Sequence, residues 1–233
     1  MASEFILETE GLTKEFRGFV AVNGVNLRVR RGTIHALIGP NGAGKTTCFN
    51  LLTHFLAPTR GRIRYNGRPL KEALASWRAR VAYLPQDVFL TDASLRSNVA
   101  LGVEEPAIDE RRLATALHQA RLDELVARLP QGAATLVGER GMRLSGGERQ
   151  RVALARAFYH GRDVLVMDEA TSALDTETER EIVEEIRQLR GEKTLIVIAH
   201  RLGTVRHCER VYRLERGRIV EGGSYEAIVG HAS

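Results

Sequence analysis

Short apolar runs alternate along the chain with longer segments of helical periodicity. Runs with strand-like composition, bounded by turn residues such as Asn23-Gly24 and Arg31-Gly32, predict strands. The runs 163–167 (DVLVM) and 194–198 (TLIVI) are almost continuously apolar, which is typical of parallel strands buried on both faces. The other predicted strands are Phe5–Glu8, Val25–Val29, Ile34–Ile38, Ile63–Tyr65 and Val81–Leu84.

The longer segments have the spacing of amphipathic helices. Segment 177–190 carries an apolar stripe after a candidate N-cap at Asp175 or Thr176. Regularly placed leucines in segment 109–129 predict two short helices. The remaining predicted helices are 45–56 and 147–160.

The order of these elements predicts an α/β protein. Strands dominate the first part, a helical stretch occupies about 92–160, and strands then alternate with helices. This order is typical of an α/β core interrupted by a helical subdomain. Because no repeat or linker divides the chain, we expect a single domain, 1–233, with its core in about 1–91 and 161–233.

The composition narrows the class of protein. With 43% hydrophobic and 27% charged residues, the chain is typical of folded proteins. Cys48 and Cys208 are too few for a disulfide framework, which favours a reducing, cytosolic compartment. A formal charge of +5 among 29 acidic residues does not require nucleic acid, and we expect no such partner. Without a window of ~18 apolar residues or a signal-peptide pattern, we expect no direct membrane insertion.

A glycine-rich turn lies within residues 33–47 (TIHALIGPNGAGKTT), between a predicted strand and a predicted helix, and from Gly39 to Thr46 it matches G-x-x-x-x-G-K-[ST]. Glycines let backbone N–H groups surround a phosphate, and the helix N-terminus adds its dipole. We expect Lys45 to reach the β- and γ-phosphates of a nucleotide and Thr46 to offer its hydroxyl to Mg²⁺. The alternative is a structural turn. The candidate phosphate-binding residues are Asn41, Gly42, Ala43, Gly44, Lys45, Thr46 and Thr47.

Carboxylates and a histidine follow two of the apolar runs. Asp168 and Glu169 end DVLVMDE, where a parallel strand faces a ligand crevice. Asp168 is suited to Mg²⁺ through water, and Glu169 to polarise the attacking water as general base. His200 ends LIVIAH and could bind a γ-phosphate and orient the water. The alternatives are a solvated acidic strand end and a structural histidine.

Residues 144–151 (LSGGERQR) open another predicted helix. Placed between the phosphate loop and DVLVMDEATSALD, this motif makes the chain resemble an ABC-transporter nucleotide-binding domain over nearly all 233 residues. The resemblance implies a RecA-like P-loop ATPase core with an N-terminal antiparallel β subdomain and an α-helical subdomain.

The resemblance also assigns roles to particular residues. Phe16 would stack on adenine, although a core aromatic is the alternative, and Gln86, in YLPQD, would touch Mg²⁺ and report to a transmembrane partner. In the family's signature motif, which corresponds to residues 144–148 (LSGGE), Glu148 stands where glutamine is usual. The remaining residues with implied roles are Ser145, Gly146 and Gly147 of the signature, Asp175 of the D-loop (residues 172–175, SALD), and His200 as switch histidine.

The mechanism implied by the resemblance is an ATP-dependent, head-to-tail homodimer. Each ATP would meet the phosphate loop of one subunit and Ser145 and Gly147 of the other, and a transmembrane permease would convert the cycle into transport. We therefore expect a cytoplasmic chain, peripheral at the cytoplasmic face of the inner membrane. The alternatives are a soluble, non-transport ABC ATPase and an engineered or truncated nucleotide-binding module with little turnover.

The two ends of the chain resemble different branches of the family. Residues 5–66 resemble ATPase subunits of branched-chain amino-acid importers, whereas the sequence from about residue 76 resembles exporters, including lipid-linked oligosaccharide flippases. Glu139 lies in the exporter-like VGERG segment, which meets the membrane domain in that branch. The spacing of 41 positions from Lys45 to Gln86 is also exporter-like. These observations favour a chimera joined at about 61–76, and a single lineage with a divergent N-terminus is the alternative.

Overall fold

The computed structural model describes residues 4–139, 141–168, 184, 187–199 and 205–229. Its strands are β1 (Phe5–Phe16), β2 (Phe19–Val25), β3 (Arg28–Arg30), β4 (Ile34–Ile38), β5 (Arg60–Tyr65), β6 (Arg68–Pro69), β7 (Val81–Leu84), β8 (Ala93–Ser94), β9 (Leu136–Val137), β10 (Val164–Asp168), β11 (Thr194–Ile198), β12 (Arg210–Glu215) and β13 (Arg218–Gly223). Its α-helices are α1 (Lys45–Leu52), α2 (Leu74–Arg78), α3 (Leu95–Val99), α4 (Glu110–Gln119), α5 (Asp123–Arg128), α6 (Gly146–Tyr159) and α7 (Tyr225–Ile228).

A six-stranded sheet in the order β13-β12-β4-β11-β10-β7 forms the centre of the fold. All neighbouring strands are parallel except β12 and β13, which form an antiparallel pair. Successive residues of β10 point to opposite faces, so Val164 and Val166 join one hydrophobic cluster while Leu165 and Met167 join the other. Both faces of the sheet are therefore covered, as its apolar strands predict.

An antiparallel sheet covers one face of the central sheet. The long β1 pairs with β2, β3 and β5. Arg17 and Gly18 connect β1 to β2 with φ of 45° and 89°, values suited to the tight turn of a two-residue hairpin. Phe16 and Phe19 consequently face each other across the end of the hairpin.

The helices α3 to α6 contribute to the cluster on the other face. Leu113 and Leu117 of α4 pack in it with Val152 of α6 and with Leu165 of β10. The two short helices predicted within 109–129 are confirmed as α4 and α5. The α/β class with an antiparallel β subdomain is thus confirmed. Within the described ranges, no helix is both long and apolar enough to cross a membrane.

The strand predicted at Phe5–Glu8 is too short, since β1 continues to Phe16. Two further predicted boundaries are wrong, and side-chain hydroxyls account for both. The strand predicted at Val25–Val29 breaks between β2 and β3, where the hydroxyl of Thr9 donates to Val25 O (3.0 Å) and accepts from Leu27 N (2.8 Å). Helix α1 ends at Leu52 rather than at 56, because Thr53 Oγ1 donates to Phe49 O and His54 has a positive φ of 62°. Most of the predicted helix 177–190 lies outside the described residues.

Candidate nucleotide-binding site

The phosphate loop connects the carboxyl end of β4 to the N-terminus of α1. Gly39, Gly42 and Gly44 have φ of 147°, 77° and 97°, and Gly44 is the N-cap residue of α1. These values are open to glycine and strained for other residues. The chain can therefore turn sharply and present the first N–H groups of α1, where an anion is favoured.

Close packing also requires glycine at two of these positions. A Cβ atom at Gly39 would lie 2.2 Å from the carbonyl oxygen of Leu214, and one at Gly44 would lie 2.3 Å from that of Ala21. Gly217, in the turn between β12 and β13, donates to Ala43 O at 2.9 Å. The loop is thus held between β2 and the β12–β13 hairpin.

Lys45 lies across this loop. Its Nζ atom donates to Gly39 O at 2.7 Å and to Pro40 O at 3.1 Å, and the residue is only 5% exposed. Thr46 is exposed and Thr47 is half-buried, while the backbone of Asn41 and Gly42 lies at the surface. The loop therefore places an ammonium group and exposed donors around one cradle.

Asp168 ends β10, two strands away from β4 in the same sheet. The carboxylate is buried, and Oδ2 accepts a hydrogen bond of 3.1 Å from the hydroxyl of Tyr83 on the neighbouring β7. Burial and the Asp168 charge raise the pKa of Tyr83 to about 12. Tyr83 is therefore a firm donor that orients the carboxylate.

Gln86 lies just beyond β7, and its side chain is exposed. Its main-chain carbonyl accepts a 2.8 Å hydrogen bond from the side-chain amide of Gln150, a buried residue of α6. The same amide lies 3.4 Å from Pro85 O. This bond joins the segment around Gln86 to helix α6, which begins within LSGGE.

The signature residues form the N-terminus of α6. Ser145 is the N-cap, with Oγ accepting from Glu148 N at 3.2 Å, while the Glu148 side chain accepts from Ser145 N at 2.7 Å. This reciprocal capping box fixes the first turn of the helix. Gly146 and Gly147 precede the first intrahelical hydrogen bond, from Arg149 N to Ser145 O, so their N–H groups lie at the anion-favouring end.

Phe16 lies at the tip of the β1–β2 hairpin and is 42% exposed, which is unlike a core aromatic. Lys14 Nζ lies 5.0 Å from the Phe16 ring centroid and donates to Ala57 O. Because β2 presses on Gly44 through Ala21, this hairpin is tied to the phosphate loop. Phe16 is thus an exposed ring on a hairpin that contacts the phosphate loop through Ala21.

The structure brings the phosphate loop, Asp168 and Gln86 to the carboxyl ends of strands in one sheet. Glu169, Asp175 and His200 lie outside the described residues. In the part of the chain that the structure describes, no group of three or more His, Cys, Asp or Glu side chains is placed to hold a metal ion. A single carboxylate is nevertheless sufficient for Mg²⁺ that also binds nucleotide phosphates.

Sequence reasoning missed Tyr83, Gln150 and Arg128 as residues of the site. Tyr83 and Gln150 act on Asp168 and Gln86, and Arg128 pairs with Glu148. For Tyr83 a usable signal existed. It lies in the predicted strand Val81–Leu84, and alternation along that strand limits which face of the sheet its ring can occupy. The Arg128 contact crosses two helices, and nothing local signals it.

The family model of the ABC transporter matches residues 22–172. The ATP-dependent lipid A-core flippase of Cupriavidus metallidurans is 45% identical over 212 residues, covering 90% of this chain and 36% of the flippase. Those of Ralstonia nicotianae (43% over 214 residues; 91% and 36% covered) and Burkholderia orbicola (45% over 208; 89% and 35%) are similar. The chain spans about a third of the length of these curated relatives.

A solved structure described as a bacterial Atm1-family ABC exporter with ATP bound is also similar. It matches with a TM-score of 0.88 and 35% identity, and covers 100% of this chain and 41% of that chain. A match over 90% of the chain necessarily includes residues 61–76. The expected chimera is therefore not shown by these relatives and stays a prediction.

Proposed function

The chain belongs to the ABC transporter family, and we propose that it binds and hydrolyses ATP in a head-to-tail homodimer. The observation that carries this proposal is the cradle from Gly39 to Thr46. Two of its glycines have backbone conformations and neighbours that exclude a Cβ atom, and its N–H groups open at the N-terminus of α1. The cradle fits a chain of phosphates, since such a loop supplies donors without side-chain bulk.

Lys45 would exchange its two loop carbonyls for β- and γ-phosphate oxygens when ATP binds. The N–H groups of 41–47 would bind the remaining oxygens. The exposed face of Phe16 would stack on adenine, with the ammonium of Lys14 fixing the ring. These contacts position the triphosphate and the base together.

The residues that would hold Mg²⁺ are Thr46, Gln86 and Asp168. Their hydroxyl, amide and carboxylate oxygens are hard donors of the kind that Mg²⁺ prefers, with Asp168 acting through water, and phosphate oxygens would supply further ligands. When bound, Mg²⁺ neutralises charge that develops on the phosphates. The Tyr83 hydroxyl keeps Asp168 aimed in one direction.

We further propose Glu169 as general base. Glu169 directly follows Asp168, the last residue of β10, in the sequence. It would accept a proton from the attacking water, and His200 would orient that water against the γ-phosphate. Asp175 would act at the dimer interface.

The partner subunit would supply its signature to each ATP. Ser145 retains a hydroxyl proton for donation after its oxygen accepts from Glu148 N, and Gly146 and Gly147 offer N–H groups. The same capping box therefore leaves donors for a γ-phosphate. We propose core segments of about 1–91 and 161–233 and a helical subdomain of about 92–160.

We propose that a transmembrane partner uses this cycle for transport. The similarity to flippases and to an exporter supports the exporter branch, with Glu139 near the membrane domain. The chain would then be peripheral at the cytoplasmic face of the inner membrane. The chemistry of the transported molecule would be set by the membrane domain.

The test is the total rate of ATP hydrolysis measured at increasing protein concentration. A steeper-than-linear rise in total rate is expected, because the composite sites form between two chains. Lys45→Ala should weaken ATP binding itself, whereas Glu169→Gln should retain binding, lose most hydrolysis and accumulate a dimer with ATP. A rate strictly proportional to concentration, or unchanged turnover in Glu169→Gln, would count against the proposal and favour a binding module with little turnover.

A further inference from the structure

An acidic side chain lies in the first turn of α6, at the N-terminus proposed to bind the partner's ATP. Glu148 Oε2 accepts the Ser145 N–H at 2.7 Å, and Oε1 is bound by a guanidinium nitrogen of Arg128. Arg128 is the last residue of α5, so the contact joins two helices. A carboxylate here adds negative charge where a triphosphate must approach.

The carboxylate is ionised in this position. Burial raises the pKa of Glu148, but the hydrogen bonds from Ser145 and Arg128 outweigh it and hold the pKa below its ordinary value. Protonation of Glu148 therefore does not remove the negative charge at this end of α6. Relief must come from a neighbouring cation.

We propose that Arg128 is a positioning residue that neutralises Glu148 and so allows the N-terminus of α6 to accept a triphosphate. This inference rests on the proposed function, in which the partner's ATP meets Ser145 and Gly147. Without Arg128, the carboxylate would repel the γ-phosphate.

The geometry of the pair supports this role. The Glu148 side chain is 18% exposed and that of Arg128 is 70% exposed, so the guanidinium covers the carboxylate from the solvent side. With Oε2 on the backbone and Oε1 on Arg128, both carboxylate oxygens are engaged. The N–H groups of Gly146 and Gly147 precede the first intrahelical bond and lie at the end of α6 that favours an anion.

The experiment compares Arg128→Gln, Glu148→Gln and the double variant, with Arg128→Lys as the conservative change. The readout is the protein concentration that gives half-maximal specific ATPase activity at saturating Mg-ATP. Arg128→Gln should raise this concentration roughly tenfold. Glu148→Gln gives the value for a site without the carboxylate, and the double variant should return to that value, because the charge to be neutralised is gone.

Two controls test whether the effect is specific to Arg128 and to the contact between two chains. Arg111→Gln removes an exposed arginine of α4 and should leave the readout unchanged. Binding of a fluorescent ATP analogue to the separate chains should be equal in all variants, since Arg128 does not contact the phosphate loop in the proposal. Arg128→Lys should retain most of the effect of arginine.

Three outcomes overturn the inference. These are an unchanged concentration dependence in Arg128→Gln, a double variant as impaired as Arg128→Gln, and a parallel loss of thermal stability that follows activity in every variant. The proposed function is judged separately by the curve of the unaltered chain. If the ATPase rate of the unaltered chain is proportional to protein concentration, both the proposed function and the role of Arg128 are overturned. If that rate rises more steeply and the double variant stays as impaired as Arg128→Gln, only the role of Arg128 is overturned.

Discussion

The side-chain amide of Gln150 donates a 2.8 Å hydrogen bond to the main-chain carbonyl of Gln86. Gln150 is only 5% exposed, and among the residues described its Oε1 has no hydrogen-bond partner. The hydrogen bond made by the amide nitrogen therefore offsets part of the cost of burying this side chain. It connects the segment proposed to touch Mg²⁺ with the helix proposed to touch the partner's ATP.

Gln150→Met should weaken this connection, because methionine has a similar shape and no donor. A net loss of about 1 kcal/mol corresponds to roughly fivefold lower ATPase activity, with nucleotide binding to the single chain retained. Gln150→Glu should be worse, since a carboxylate would face two carbonyl oxygens. Gln119→Met, on the exposed surface of α4, is the control. Equal loss of binding and activity would contradict a coupling role.

The bond from Tyr83 to Asp168 predicts a second effect. Tyr83→Phe removes the donor to Oδ2 and leaves the ring in contact with Phe55, whose centroid lies 5.6 Å away. We expect ATPase activity to fall about fivefold and the Mg²⁺ concentration for half-maximal activity to rise, because a buried carboxylate loses one orienting bond. Tyr225→Phe serves as control. An unchanged Mg²⁺ dependence would show that Tyr83 does not act through Asp168.

Gly44→Ala tests the phosphate cradle. The new Cβ atom would lie 2.3 Å from Ala21 O, and the alanine would have to adopt a φ of 97°. We expect loss of ATP binding and a destabilisation of more than the ~1–2 kcal/mol that a left-handed φ alone costs. Gly161→Ala has φ of 64° with nothing within 4 Å, so it should show only the conformational cost and bind ATP normally. Similar effects of the two changes would refute the packing argument.

Much of the site could be predicted because its signals are local. The bounds of β4 and β11 follow from short apolar runs, and Gly39 comes directly after β4. A glycine-rich turn after such a run, followed by Lys45, has few structural solutions. Asp168 is placed at a strand end by the same reasoning.

The remainder depends on contacts between distant segments. The break between β2 and β3 depends on the Thr9 hydroxyl, which lies 16 positions from Val25. The pairing of Arg128 with Glu148 depends on the angle between α5 and α6. Neither is encoded by spacing within one element, so a sequence pattern cannot reveal it.

The residues around the predicted join are tightly packed. Trp77 is fully buried, donates from Nε1 to Leu52 O at 3.0 Å and lies 5.2 Å from the ring of Tyr65. Leu52 and Tyr65 belong to the importer-like segment and Trp77 to the exporter-like one. Trp77→Phe should cost about 1–3 kcal/mol, because it leaves a carbonyl unpaired and a void beside Tyr65.

Urea unfolding followed by circular dichroism measures this cost, since Trp77 is the only tryptophan of the chain. Phe89→Leu, on the exposed surface, is the control. A cost below a few tenths of a kcal/mol would indicate that the two segments pack loosely there, as an imperfect join would.

The environment of His35, outside the nucleotide cradle, makes the stability of the folded protein depend on pH. The imidazole is buried on β4, stacks on Tyr212 with centroids 6.0 Å apart, and accepts from Arg30 N at 3.3 Å. Burial first, and then the charges of Arg210 and Arg30, lower the pKa of His35 to about 4. The folded protein therefore holds the neutral imidazole, while the unfolded chain binds a proton near pH 6.5.

Stability from His35 is thus complete above pH 6.5 and is lost as the pH falls from 6.5 toward 4, by up to about 3 kcal/mol. His35→Gln keeps an acceptor for Arg30 N without this titration, so the stability difference between the unaltered chain and the variant should shrink on acidification. Trp77 fluorescence during urea unfolding at about pH 4.5 to 7.5 measures the stability of the unaltered chain and of the variant. His207→Gln, at an exposed position, controls for removal of an imidazole. A difference that stays constant over this range would show that His35 takes up its proton as readily in the folded protein as in the unfolded chain.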